Sequence, residues 1–421
     1  PAISPVVETL PFFIDAASTQ FTTRLPQFKG DSRVTLEYCN NPVWYCVTAL
    51  PTLFDNNYRI TTSLAHNLFA EVLAQGVAKS QPQIRQAIAH WKQNASDSTL
   101  VSMLEKNQDL KIGTLLASPW LQEADRQTLR MSKLDELFDE AKMATEHNKI
   151  VEGLQSLQLA DGGWCWYRYP RCQSSLYTTE IVLQIIGRLH HLGYLKDDAR
   201  INAMVQRAMG YYDAQYLNLF NEEIKHNKNN YSGFGSYVYT RSMFKEINLS
   251  KANKAMIDKC LKAMTKDWKG LSLGEKAFYA MTLHRNGYKP LAKDIVESIR
   301  QFSITKPELG MYWDNVQVGW RYFDKVAVTS TILQAMNEIE PRTAEIDQVR
   351  KWILLMKQSN DWGSSSLAAD AVYTILSLGS QWLDESEAPT ITIDGKPVEF
   401  DKMARYLGYC RKSLPASSLA T

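Results

Sequence analysis

The sequence lacks most of the marks that give a protein's chemistry away. Its six cysteines include no Cys-x-x-Cys pair, so the usual spacing of a structural zinc site is absent. No Gly-x-Ser-x-Gly, His-Glu-x-x-His or phosphate-loop motif occurs, which removes the familiar hydrolase and nucleotide signatures. Glycine (20) and proline (15) are few for 421 residues, against the many tight turns of an all-β sandwich. No stretch approaches the roughly 20 consecutive apolar residues that a membrane span needs. Neither charge sign dominates: 47 Lys+Arg against 45 Asp+Glu leave +2, too weak a field to gather nucleic acid or an anionic membrane. The chain opens at Pro1 with neither an initiator Met nor a charged-then-apolar leader, so it reads as a piece of a longer or processed polypeptide.

What is present is an ordinary globular balance, 45% hydrophobic and 22% charged, with 11 Trp and 20 Tyr. Large aromatics fill wide helix–helix gaps or line grooves. From Pro42 onward apolar residues recur at helical spacing, as in Leu64, Leu68, Val72 and Leu73, or in Leu134, Leu137, Ala141 and Ala144. Helices are expected at 197–218, 252–265, 272–286, 290–302, 326–338, 344–357 and 366–379, with nearly continuous helix from about 42 to 385. Val34, Leu36 and Tyr38 alternate like a strand, and Ile391 and Ile393 followed by Asp394-Gly395 read as a hairpin. Three segments follow: an extended piece over 1–40, a helical domain over 41–385, and a β hairpin or linker over 386–421.

The helices repeat. Leu189-His-His-Leu-Gly193-Tyr194 and Leu283-His-Arg-Asn-Gly287-Tyr288 end two helices in one phrasing, each Gly where a left-handed cap is expected. Gln158-Leu-Ala-Asp161-Gly-Gly-Trp164 parallels Gln358-Ser-Asn-Asp361-Trp362, and Tyr312-Trp313 precedes a helix of the same kind. Repeated helix pairs cannot bury their faces alone and must stack or close. The expected fold is all-α, an α/α toroid of repeated helix pairs, with short β segments at both ends.

Candidate chemistry is sparse. Trp164 and Trp362 read as wedges between helices, with Asp161 capping the helix that follows. The Gln-x-x-Asp-Gly-Gly-Trp phrase resembles a turn of terpene cyclases, but Asp197-Asp198, the one adjacent Asp pair, sits at a helix start, where carboxylates suit the dipole. His190-His191 point in different directions and make a poor metal site, so no metal and no cofactor is expected. Glu222-Glu223 reads as a solvated loop. Cys39/Cys46 and Cys165/Cys172 are spaced so that a helix would hold their Cα atoms roughly 10 Å apart, and they can bridge only across non-helical backbone. Trp164, Trp166 and Tyr167 form a possible ligand groove, and two carboxylates meeting inside a toroid would allow a carbohydrate-active enzyme.

One phrase is more specific. Leu36-Glu-Tyr-Cys39-Asn-Asn-Pro42-Val-Trp44-Tyr45, followed by Ala49-Leu-Pro-Thr-Leu53, closely resembles bacterial alpha-2-macroglobulins, as does Trp362-Gly-Ser-Ser-Ser before Ala369-Asp370. In that family the first phrase leads into an α/α toroid whose Cys-x-Glu-Gln motif closes a thioester between a Cys thiol and a Gln amide. Aligned without gaps, those positions fall on Ile60-Thr61-Thr62-Ser63: Ile60 replaces the thiol and Ser63 the amide. The resemblance therefore implies a toroid without covalent chemistry and without enzymatic activity. It also implies flanking β-sandwich modules of the same polypeptide and target proteases of the full-length protein as partners. Export to the periplasm, or as an envelope lipoprotein, follows from the same likeness.

Overall fold

Why the chain alternates between two classes of helix follows from its turns. The computed structural model describes residues 12, 14, 20–25, 33–39, 43–54, 59–80, 136–226, 228, 231–314, 317–318, 321–322, 325–360, 362, 365–378, 390–400 and 409–415. The helix expected around Leu134 begins outside them. In order the elements are β1 (Arg33–Cys39), α1 (Val43–Leu53), α2 (Thr61–Ser80), α3 (Glu140–Leu157), α4 (Leu176–His191), α5 (Ala199–Lys225), α6 (Gly235–Ser242), α7 (Lys251–Asp267), α8 (Leu273–Arg285) and α9 (Lys289–Arg300). Then come β2 (Ile304–Lys306), β3 (Gly310–Tyr312), β4 (Gln317–Val318), β5 (Arg321–Tyr322), α10 (Lys325–Ile339), α11 (Thr343–Asn360), α12 (Ser365–Ser377), β6 (Thr392–Ile393), β7 (Lys396–Pro397) and β8 (Tyr409–Pro415). The described residues are mostly helical, as the periodicity predicts.

They fall into two units, one drawn from 1–51, 74–143 and 379–421, the other from 52–73 and 144–378. The first holds the β structure of both ends. β1 pairs antiparallel with β8, Val34 opposite Leu414 and Tyr38 opposite Cys410. β6 and β7 form the expected hairpin around Asp394 (φ 49°) and Gly395 (φ 75°), the two positive φ values of a type I′ turn.

In the second unit alternate helices pack side by side: α4 on α6, α6 on α8, α8 on α10, and α10 on α12. Gln334 donates to Thr374 Oγ1 at 2.7 Å and Asn337 to the Ser377 carbonyl at 3.3 Å, so α10 and α12 advance together and run parallel. Arg188 on α4 reaches Asp370 on α12 at 2.6 Å, and His66 of α2 lies in the field of both, which closes the inner helices on themselves. Their last turns meet in a polar cluster: Arg285 grips Glu338 through two hydrogen bonds of 2.7 and 2.6 Å and covers the Tyr239 ring, while Arg188 covers Tyr373. Cations there also complement the negative ends of the helix dipoles. Helices α5, α7, α9 and α11 pack outside these.

The Gly193 and Gly287 ends are alike, with φ of 90° and 94°, and Tyr194 and Tyr288 donate back to the carbonyls of Leu189 and Leu283. A tryptophan precedes three inner helices. Trp164, Trp313 and Trp362 are all buried, and their indole N–H groups donate to the carbonyls of Leu154, Ile299 and Ile353 at 2.9–3.0 Å. Each therefore pins its turn to a carbonyl of a preceding helix while filling the gap beneath the next inner one.

Three expectations need correction. Between α9 and α10 the chain forms β2–β3 and β4–β5, two hairpins whose strands of two or three residues are too short to show a period of two. Asp161 does not cap α4: its Oδ1 accepts from the Gly163 amide and the Ser174 hydroxyl, and Ser175 caps the helix. Glu222-Glu223 belongs to the last turn of α5, solvated but helical.

His147 of α3 fixes α2 within the second unit. Its Nδ1 lies 2.8 Å from buried Glu71 on α2 and its Nε2 3.3 Å from Asp198, the cap of α5. Both contacts are hydrogen bonds only if both ring nitrogens carry protons. The bond to Glu71 raises the imidazole pKa, outweighing burial, and Asp198 adds to it. A pKa raised in the fold contributes stability in full below the unfolded value near 6.5 and loses it as pH climbs through the folded value. Wild type is therefore expected to exceed His147→Gln in unfolding free energy most at pH 5.5–6, with the gap narrowing steadily toward pH 9. Urea titrations of both proteins across that range check it, and a gap that widened with pH would contradict the clamp.

Candidate functional site

The four residues aligned with the thioester motif sit where α2 begins. Ile60 pairs with Tyr167 in an isolated antiparallel bridge, and the Thr61 amide donates to the Trp166 carbonyl at 3.0 Å. Thr61 Oγ1 donates to the Cys165 carbonyl at 2.5 Å. The two sequence candidates, Ile60–Ser63 and the Trp166/Tyr167 loop, are thus brought together into one site. Thr61 is buried and its hydroxyl proton is committed to a backbone acceptor, whereas Ile60, Thr62 and Ser63 are half-buried.

The loop from Gln158 to Ser175 is tied down at its base. Gln158 donates from Nε2 to the carbonyls of Gly162 and Met204, both at 2.8 Å, and Arg207 donates to the Leu159 carbonyl. The Ser175 amide donates to the Trp164 carbonyl at 2.8 Å, and the Trp164 amide to Thr179 Oγ1. Trp164, expected as part of the groove, is 0% exposed and belongs to the core. Beyond this base the side chains turn outward. Trp166 is 62% exposed, Tyr167 38%, Tyr169 56%, and Tyr177 on the first turn of α4 74%. Arg168 and Arg171 lie among them, and no acidic residue occurs between Asp161 and Glu180. The result is an aromatic and cationic surface beside the start of α2. Tyr169 and Tyr177 extend it beyond the two positions the sequence singles out, and the run Trp-Tyr-Arg-Tyr-Pro-Arg was the available signal.

The interior carboxylates are occupied. Glu180 on α4 accepts from Tyr212 at 2.6 Å, from Tyr216 at 2.9 Å and from the Ser236 hydroxyl. Burial, reinforced by Glu180, raises the pKa of both phenols, which keeps them protonated as donors. Asp213, raised by burial although Arg241 opposes it, accepts from Tyr237 at 2.8 Å, and Tyr237 accepts in turn from Asn253. The aromatic segment 231–239 is accordingly inner-helix core around α6, with Phe234, Tyr237 and Tyr239 buried. These networks join α4, α5, α6 and α7, and each acid is spent on a neighbouring helix. His66, His190, His191 and His284 are all lowered by burial, which favours neutral rings. Among the described residues no group of three or more His, Cys, Asp or Glu is placed to hold a metal ion, and no helix is long and apolar enough to cross a membrane.

No protein-family model and no curated protein matches the chain. Solved structures do. The native conformation of Escherichia coli alpha-2-macroglobulin matches over 91% of this chain and 19% of its own length, at 11% identity and a TM-score of 0.49. A crystal structure of native E. coli alpha-2-macroglobulin from domain MG7 to the C-terminus matches over 67% of this chain and 40% of its own, at 11% identity and a TM-score of 0.40. The chain thus spans about a fifth of the length of the first protein and less than half of the second.

Proposed function

We propose that this chain is a non-catalytic α/α-toroid domain of an alpha-2-macroglobulin-like protein, which acts through docking and forms no thioester. The observation that carries the reading is the start of α2, where the aligned Ile60-Thr61-Thr62-Ser63 offers neither a thiol nor a side-chain amide. Thr61 there spends its hydroxyl on the Cys165 carbonyl and its amide on that of Trp166. A thioester needs both partners, so the position serves as a structural joint. Glu180, both of whose oxygens accept from tyrosine or serine hydroxyls, and Asp213, held by Tyr237 and Arg241, support the same reading against a sugar-cleaving site, since paired catalytic carboxylates need a free face toward substrate. In the full-length protein the domain would sit among β-sandwich modules, exported to the periplasm or envelope. Protease trapping would belong to the assembly, while the domain alone inhibits nothing.

Methylamine, which opens thioesters, tests this. Treatment of the intact chain is expected to leave its mass unchanged and its titratable thiols constant. A mass gain equal to one methylamine with a newly titratable Cys would overturn the proposal, as would stoichiometric protease inhibition by this chain alone.

A further inference from the structure

Of the cysteines, two share one short loop. Cys165 and Cys172 flank six residues, Trp166–Arg171, in the non-helical stretch that the spacing argument requires for a bridge. The loop folds back on itself: the Cys172 amide donates to the Tyr169 carbonyl at 3.1 Å across Pro170 and Arg171, and Arg171 takes φ 69°. Proline at the first central position and a positive φ at the second are the features of a type II turn. At the loop's base the Ser175 amide meets the Trp164 carbonyl at 2.8 Å, so the two limbs run alongside each other. Within this frame the Cys172 thiol lies near enough to Cys165 to add to burial in raising the Cys165 pKa. They differ in access: Cys165 is buried, with Sγ 3.5 Å from the Leu157 carbonyl, whereas Cys172 is half-exposed.

We propose that Cys165 and Cys172 form an oxidisable pair whose intramolecular disulfide locks the aromatic loop against the start of α2. The co-reactant is a disulfide-exchange oxidant, a small-molecule disulfide or the disulfide of a thiol oxidase. The accessible Cys172, as thiolate, attacks one sulfur of the oxidant; a mixed disulfide forms and one thiol departs. Cys165 then loses its proton and attacks the Cys172 sulfur, and the oxidant's second sulfur departs as a thiol. Two S–H bonds are lost and one S–S bond is made, and the two electrons and two protons convert the oxidant's disulfide into two thiols. Burial and the Cys172 thiol raise the Cys165 pKa, so Cys172 is the partner that opens the reaction. The cross-link would hold Trp166, Tyr167 and Tyr169 in place and, through the carbonyls of Cys165 and Trp166, steady the Thr61 joint. This inference stands independently of the proposed family role, since it concerns the loop's own chemistry.

The test uses the whole 421-residue chain. The reduced protein is incubated with oxidised glutathione at pH 8, remaining thiols are alkylated, and the digest is mapped by mass spectrometry. The expected product is a peptide two hydrogens lighter, linking Cys165 to Cys172, with a thermal midpoint raised by several degrees and restored by dithiothreitol. In Cys172→Ser, which alters the more accessible partner, oxidant should leave the midpoint unshifted. Alkylation of both residues after oxidation overturns the proposal. So does a lasting glutathione adduct on Cys172, or a link from either residue to another cysteine.

Discussion

Trp164→Ala is expected to lower the unfolding free energy by about 3–5 kcal/mol, through lost apolar burial and the cavity left beneath α4. The indole is completely buried and its N–H donates to the Leu154 carbonyl at 2.9 Å, an acceptor that keeps the Gln158 amide at 3.1 Å once the ring is gone, so the loss is chiefly one of packing. Trp362→Ala should behave alike, because its N–H meets the Ile353 carbonyl at 3.0 Å from the same position between an outer and an inner helix. Trp166→Ala is the control: its ring is largely exposed, and a surface change there should stay within about 0.5 kcal/mol. Urea unfolding of the three variants separates the roles. Equal midpoints for Trp164→Ala and Trp166→Ala would refute the wedge and return Trp164 to the groove.

The contrast between those two tryptophans shows what a sequence can carry. The repeated phrase around Trp164 and Trp362 was legible because it is local: helix end, turn, wedge and next helix follow within some twenty residues. The Gly193-Tyr194 and Gly287-Tyr288 ends were legible for the same reason, since a left-handed cap is settled by its immediate neighbours. What failed to show was whatever joins distant residues. The Thr61–Cys165 hydrogen bond spans 104 positions and the Arg188–Asp370 pair 182, and no periodicity announces either. Asp161 was misplaced because its carboxylate serves Gly163 and Ser174 inside its own turn, while Ser175, one step nearer the helix, does the capping. The candidate site was therefore half visible. Its residues stood out as a departure at 60–63 and an aromatic run at 166–169, but their meeting did not.

That meeting depends on a glycine whose replacement should be among the most damaging single changes in the chain. Gly162 adopts φ 93°, and a Cβ placed on it would stand 2.3 Å from the Arg207 carbonyl oxygen of α5. Two costs combine in Gly162→Ala. The left-handed backbone costs an L-residue about 1–3 kcal/mol. The overlap with backbone atoms, which have no rotamer to change, adds about 1–3 kcal/mol more. Relief would require the loop to lift from α5, straining the bonds from Gln158 to the carbonyls of Gly162 and Met204 that hold its base. Gly193→Ala isolates the first cost alone: φ is 90°, but nothing lies within 4 Å of the added carbon. The expected order is a loss of roughly 3–5 kcal/mol for Gly162→Ala against about 1–2 kcal/mol for Gly193→Ala. Because the loop carries the carbonyls that receive Thr61, Gly162→Ala should also speed proteolytic cleavage after Arg168 and Arg171 under native conditions, while Gly193→Ala should not. Limited trypsin digestion of the two variants measures this, and equal cleavage rates would mean that the close approach of the loop to α5 does not govern its seating.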